Sequence, residues 1–148
     1  MNYNNELFLK FKSLSENEGF ARASVASFCL PLNPSIEVIT DIKTAVSEAV
    51  TNCVVHAYPN MIGDIEIYVK LTENQIYISI KDYGVGIEDI LKAKEPFYTS
   101  KPDSERSGMG FTVMESFMDN VTIKSQINKG TEIILIKNLE DNVLAVGG

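Results

Sequence analysis

Cysteine is scarce, histidine is nearly absent, and basic charge is in the minority. The 148 residues hold two cysteines, Cys29 and Cys53, and one histidine, His56. Two cysteines are too few for a disulfide scaffold and too isolated for a zinc site. Both fall inside apolar helical patterns, so buried, reduced thiols are expected. A lone histidine excludes a multi-histidine metal centre. Lys and Arg number 13 against 20 Asp and Glu, a formal net charge of −7. Non-specific nucleic-acid binding needs a basic surface that displaces counterions, so direct nucleic-acid contact is not expected. A protein partner that itself binds nucleic acid stays open. No apolar run approaches the roughly 20 residues of a membrane span. The segment from Met1 to Glu6 has no basic stretch leading into an apolar one, so no secretory signal is read there and a cytoplasmic location is expected. Repeats, low-complexity tracts and linkers are absent too, so residues 1–148 read as a single domain.

What is present is an ordinary globular composition, 45% hydrophobic and 22% charged. Glu6 to Lys12 alternates and predicts a first strand. Glu16 to Leu30 predicts a helix with Phe20, Ala23, Val25, Ala26, Phe28 and Leu30 apolar, stopped by Pro31. Ile36 to about His56 predicts a long helix with Ile39, Ile42, Ala45, Val46, Ala49, Val50 and Cys53 as its apolar stripe. Pro34 suits its first turn. Asp64 to Leu71 and Gln75 to Lys81 predict a hairpin. A short helix is expected over Ile87 to Ala93 and a long mobile loop over Glu95 to Gly110. Gly110 to Phe117 predicts a helix, and Asn120 to Ile127 with Thr131 to Lys137 a second hairpin. Strands in pairs with helices grouped between them predict an α+β fold.

Four constellations carry possible chemistry. Glu48, Asn52 and His56 stand at successive i, i+4 positions of the long helix. An amide oxygen there can ligate magnesium, and a carboxylate one turn away can take a proton. On spacing alone the simpler account is a solvated polar edge. Asp82-Tyr83-Gly84-Val85-Gly86 follows a strand. Its aspartate can accept from an exocyclic amine, and its glycines admit close backbone approach; a capped glycine turn is the plainer account. Arg106-Ser107-Gly108-Met109-Gly110 precedes a helix, with Thr99, Ser100 and Lys101 earlier in the same loop. Glycines before a helix expose N–H groups to phosphate and Arg106 adds a cation; the plainer account is a surface loop. It is neither a Walker A loop nor a Rossmann turn. Lys129-Gly130-Thr131 opens the last strand, where the threonine can support a purine or simply end a turn.

The order of these motifs resembles the Bergerat nucleotide-binding fold (GHKL, histidine-kinase-like ATPase), and the match covers nearly the whole chain. That resemblance implies a two-layer α/β sandwich: a mixed, mostly antiparallel sheet with helices on one face and a mobile ATP lid. Histidine kinases carry a phosphoacceptor helix, and gyrase, Hsp90 and MutL relatives carry transducer domains, for which 148 residues are expected to leave no room. The stretches Thr40 to Tyr58 and Glu95 to Asp119 resemble the free-standing sporulation anti-sigma kinases.

The resemblance implies a protein serine kinase that uses ATP, yields ADP and needs Mg2+. Glu48 becomes the base for the attacking serine, Asn52 the magnesium ligand, Asp82 the acceptor for the adenine amine, and Gly84 and Gly86 the wall of that pocket. Ser107, Gly108, Met109 and Gly110 wrap the phosphates, Arg106 meets the terminal phosphate, and Thr131 supports adenine through water. Thr99, Ser100 and Lys101 join the lid. The implied partners are a sigma factor (sigma-F type), an anti-sigma-factor antagonist that accepts phosphate on serine, and a second copy in a homodimer. Arg22 matches a partner-binding arginine; without the resemblance it is an ordinary exposed charge. Cys53 and Ala57 depart from the usual small residues and are expected to lie clear of the chemistry, and His56 is expected to be structural.

Overall fold

The computed structural model describes residues 3–94 and 110–139. Five strands form one sheet: β1 (Asn4–Lys12), β2 (Asp64–Thr72), β3 (Gln75–Asp82), β4 (Asn120–Gln126) and β5 (Gly130–Asn138). Their spatial order is β1-β2-β3-β5-β4, and every pairing is antiparallel. This is the antiparallel end of the expected sheet. Short turns at Glu73-Asn74 and Ile127-Asn128-Lys129 close the two hairpins. Period-two alternation puts one face of each central strand in the core. Ile65, Ile67, Val69 and Leu71 of β2 are fully buried, as are Ile76, Ile78 and Ile80 of β3. Continued two residues further, that pattern carries Asp82 to the same inward face.

The helices cover that face: α1 (Asn17–Cys29), α2 (Ile36–Asn52), a short α3 (Ile90–Ala93) and α4 (Gly110–Phe117). Helix α2 is central, packed against α1 on one side and α4 on the other. Its stripe is as expected, with Ile42, Ala45, Val46, Ala49 and Val50 fully buried. Ser35 caps it, its Oγ accepting from Val38 N at 3.1 Å. Pro34 therefore lies outside the helix rather than in its first turn, because the capping hydroxyl fixes the start. In α1 the buried stripe is Ala21, Val25 and Cys29, one turn apart, while Phe20 and Leu30 face outward. The apolar residues of that helix are more numerous than one face can hold. Pro31 falls within a single 3-10 turn (Leu30–Leu32) that ends the helix.

One local feature escaped the helical periodicity. After Asn52, helix α2 widens into a π turn, Cys53–Ala57. Such insertions shift every later side chain around the axis and cluster at functional sites. Tyr58 then ties this turn to the sheet. Its hydroxyl donates to Asp64 O at 2.6 Å and accepts from Tyr83 N at 2.7 Å.

Candidate nucleotide-binding site

The inward ends of β3 and β5 frame a cavity of about 420 Å3 between the sheet and the π turn. Asp82 and Thr131 sit directly opposite each other in the β3–β5 register, 4% and 8% exposed. Asp82 Oδ1 accepts from Gly84 N at 3.0 Å and from Thr131 N at 3.2 Å. Burial pushes the carboxyl of Asp82 above its ordinary range, and these two N–H groups together with the Cys53 thiol pull it part of the way back. Much of the remaining wall is apolar, including Ala57, Val85, Ile87, Phe111 and Ile133, with Glu88 and Asn128 as polar members. A buried acceptor at the floor of an apolar cavity suits a flat heterocycle that carries a donor on its edge.

Glycine makes the walls possible. A Cβ on Gly84 would stand 2.0 Å from Ala57 O, and one on Gly130 would stand 2.1 Å from Asp82 O, where φ is +120°. The loop after β3 is held from two sides: Val85 N donates to Ala57 O at 2.9 Å, and Asn128 N donates to Val85 O at 2.8 Å. Ser125 completes the frame. Its Oγ donates to Gly130 O at 3.1 Å, lies 2.8 Å from Thr131 Oγ1, and accepts from Ile87 N at 2.7 Å.

The far rim belongs to α2 and α4. Asn52 and His56 line the cavity with Gly110, the first residue of α4. A Cβ on Gly110 would come within 3.1 Å of Asn52 Nδ2, 3.2 Å of its Oδ1 and 3.4 Å of Glu48 Oε2. Bare backbone therefore faces both polar groups. Asn52 Nδ2 is buried with no hydrogen-bond partner among the described residues. An amide left over in this way fits a site completed by a bound group, and its oxygen is a hard donor of the kind magnesium takes. Among the described residues no three of His, Cys, Asp and Glu cluster to hold a metal alone. Magnesium seldom needs such a cage, since substrate phosphates supply the other oxygens.

The structure thus brings Asn52, Asp82, Gly84, Gly86, Gly110 and Thr131 together. Thr99, Ser100, Lys101, Arg106, Ser107, Gly108 and Met109 lie outside the described residues. Glu48 divides the two regions: its Oε2 lies near Gly110, and it also lines a groove between α1 and α2 with Arg22, Ala23, Thr40, Lys43, Thr44 and Ser47. Arg22 is partly exposed in that groove and pairs with Glu18 at 3.5 Å. Two expectations need correction. Cys53 and Ala57 do not lie clear of the site: both line the cavity. His56 stands in the last turn of the helical segment, as expected, and also borders the cavity. Cys53, His56 and Ala57 all belong to the π turn, Cys53–Ala57. As expected, both thiols are buried, and burial alone lifts Cys29 to about 12. Ser125 and Asn128 were missed as site builders, whereas Gly130 was named with Thr131 at the start of the last strand.

Residues 11–137 match the model of the histidine kinase-like ATPase domain, the class that this sheet and cavity define. A domain of that class implies nucleotide binding. Among curated relatives, the anti-sigma F factor of Clostridium acetobutylicum is 55% identical over 90% of this chain and 93% of its own. That of Caldanaerobacter subterraneus subsp. tengcongensis is 52% identical over 96% and 99%. The chain belongs to the anti-sigma F factor family. In solved structures the fold is similar to the RsbU and RsbW domains of a Mycobacterium tuberculosis protein, with a TM-score of 0.66 at 18% identity, covering 91% of this chain and 32% of that one. It is also similar to the catalytic domain of histidine kinase ThkA, with a TM-score of 0.56 at 18% identity, covering 89% and 95%. No helix among the described residues is long and apolar enough to cross a membrane.

Proposed function

We propose that this chain is an anti-sigma factor that is also an ATP-dependent protein serine kinase. In this reading it binds and inhibits a sigma factor of the sigma-F type, and it phosphorylates and so inactivates the antagonist that would free that sigma factor. One domain, residues 1–148, carries both activities and works as a homodimer. The names of the relatives support the sigma-factor half. The kinase half rests on one observation: a buried carboxylate at the floor of an apolar cavity, with Asn52 and Glu48 grouped around bare Gly110 at its rim.

Adenine occupies the cavity in this reading, its amine donating to Asp82. Thr131 and Ser125 hold the floor beside it. The phosphates run past Asn52 toward Gly110, where the N-terminus of α4 favours anionic oxygens. Magnesium, held by Asn52 with phosphate oxygens, neutralises charge when bound. Glu48 orients the incoming serine hydroxyl and takes its proton as the serine oxygen bonds to the γ-phosphorus and ADP leaves. Arg106 meets the terminal phosphate. Arg22 and Glu48 share one groove, so a partner docked on Arg22 lies beside the base.

The test is incubation with ATP labelled at the γ-phosphate, magnesium and the candidate antagonist. Acid-stable label on an antagonist serine is expected. Glu48→Ala should keep ATP binding and slow transfer by about 10²–10⁴. Tight ATP binding and sigma-factor capture without transfer would leave a nucleotide-gated binding module and remove the role given to Glu48.

A further inference from the structure

Asp82, Thr131 and Ser125 form one row across three strands. Thr131 stands opposite Asp82 in the β3–β5 register and opposite Ser125 in the β4–β5 register. Side chains paired in this way share a face and reach one another. Asp82 and Thr131 line the cavity, and Ser125 stands behind Thr131 as its outer neighbour. A serine hydroxyl has one proton and two lone pairs. Three groups meet that of Ser125: Ile87 N at 2.7 Å, Gly130 O at 3.1 Å and Thr131 Oγ1 at 2.8 Å. Ile87 N can only donate and Gly130 O can only accept, so the carbonyl takes the serine's one donated bond. The contact with Thr131 then requires the threonine hydroxyl to donate. This assignment satisfies all three bonds, and in it the Thr131 proton points toward Ser125. Thr131 Oγ1 is left with lone pairs to offer a ligand. Gly84 N and Thr131 N are spent on Asp82 Oδ1. The row therefore presents acceptors and no free hydroxyl donor.

We propose that Ser125 is a positioning residue that sets base specificity: by accepting the Thr131 hydrogen bond it keeps the floor of the cavity an acceptor surface, which selects a 6-amino purine over a 6-oxo purine. The proposal rests on the reading of the cavity as an adenine site. The amine of adenine has hydrogens to give to that floor. The 6-oxo group of hypoxanthine has lone pairs, which there meet lone pairs. Such a mismatch leaves buried polar groups unpaired and costs affinity. Without Ser125, the Thr131 hydroxyl is free to turn and donate into the cavity.

The experiment measures affinities of the full chain and its variants for ADP and for inosine diphosphate (IDP), its 6-oxo analogue, by calorimetry with magnesium. The parent should prefer ADP by about tenfold or more. Ser125→Ala should weaken ADP about threefold, as the anchor on Ile87 is lost, and tighten IDP about fivefold. Ser125→Cys nearly keeps the volume but has a weaker donor and acceptor, so it should move both affinities in the same directions by less. Adding Thr131→Val to Ser125→Ala removes the hydroxyl that turned, and the IDP gain should vanish. An IDP affinity that falls along with ADP affinity in both single variants would overturn the proposal, because a merely structural defect weakens both nucleotides. An IDP gain that survives in the double variant would overturn it too, as would unchanged affinities. Asp82→Asn separates the two levels of the argument. If the parent chain binds ADP and IDP equally and Asp82→Asn changes neither, the adenine reading itself fails and Ser125 with it. If the parent prefers ADP, Asp82→Asn removes the preference and the Ser125 variants keep it, Ser125 alone loses its role.

Discussion

The cavity under the sheet and the groove between α1 and α2 have the same volume, about 420 Å3 each, and almost nothing else in common. The cavity is built by backbone. Gly84 and Gly130 let main chain meet main chain at distances where no Cβ fits, and the Asp82 carboxylate is held by N–H groups. The groove is built by side chains that rise from two helices at ordinary helical spacing: Arg22, Thr40, Lys43, Thr44 and Ser47. A surface of the first kind fixes one shape and suits a rigid ligand. A surface of the second kind adapts and suits a partner's side chains. Glu48 lines the groove and brings its Oε2 close to Gly110 on the cavity rim.

That contrast can be broken by small substitutions. Gly84→Ala or Gly130→Ala should have the largest effect, a loss of about 3–5 kcal/mol in urea unfolding together with the nucleotide site. A harmless methyl at either position would mean that the cavity is as adaptable as the groove. Asp82→Asn comes next. ADP affinity should fall about 10–100-fold, since a charge-assisted acceptor is replaced by an amide. The free protein should nevertheless melt about 3 °C higher, because an ionised group no longer has to be buried. The sign of the pH dependence follows from burial. Asp82 takes up its proton more readily folded than unfolded, so its contribution is greatest below the ordinary carboxylate range and is lost as pH rises through the folded value. Melting temperatures taken across that window should show the slope in the parent and not in the variant.

The groove should respond differently. Arg22→Ala should weaken partner capture about tenfold while ADP affinity and melting temperature stay put, because its pair with Glu18 is exposed and worth little. A matching fall in ADP affinity would show the two regions to be one. The smallest effect belongs to Gly19→Ala in α1. A Cβ there meets only Arg22 Nη2, at 3.6 Å, so helix propensity should dominate and stability should rise by ~0.5–1 kcal/mol. Chemical denaturation would read the gain, and a loss would mean that α1 is packed as tightly as the cavity.

Parts of this arrangement were legible residue by residue. The run Ile76, Ile78, Ile80 states its inward face outright, and carrying the same step to Asp82 puts a carboxylate in the core. Thr131 follows in the same way from Ile133 and Leu135. Glu48 and Asn52 were visible as a helical pair. Cys53 was visible only as the end of the apolar stripe of α2, and nothing local announces the π turn that runs from it to Ala57. Ser125 was equally silent: a serine in a hairpin strand has no pattern that points to Ile87 and Thr131.

By itself the sequence determined the alternating strands, the amphipathic α2 and the order of the motifs, since each depends on residues close together along the chain. The tertiary structure alone decided that Cys53 and Asp82 line one cavity, that Ala57 and Asn128 clamp Val85, and that Gly110 lies bare against Glu48 and Asn52. Those contacts depend on strand register, on the extra residue in the π turn and on how the helix layer sits over the sheet. All three are settled by packing between distant segments, where local periodicity carries no information.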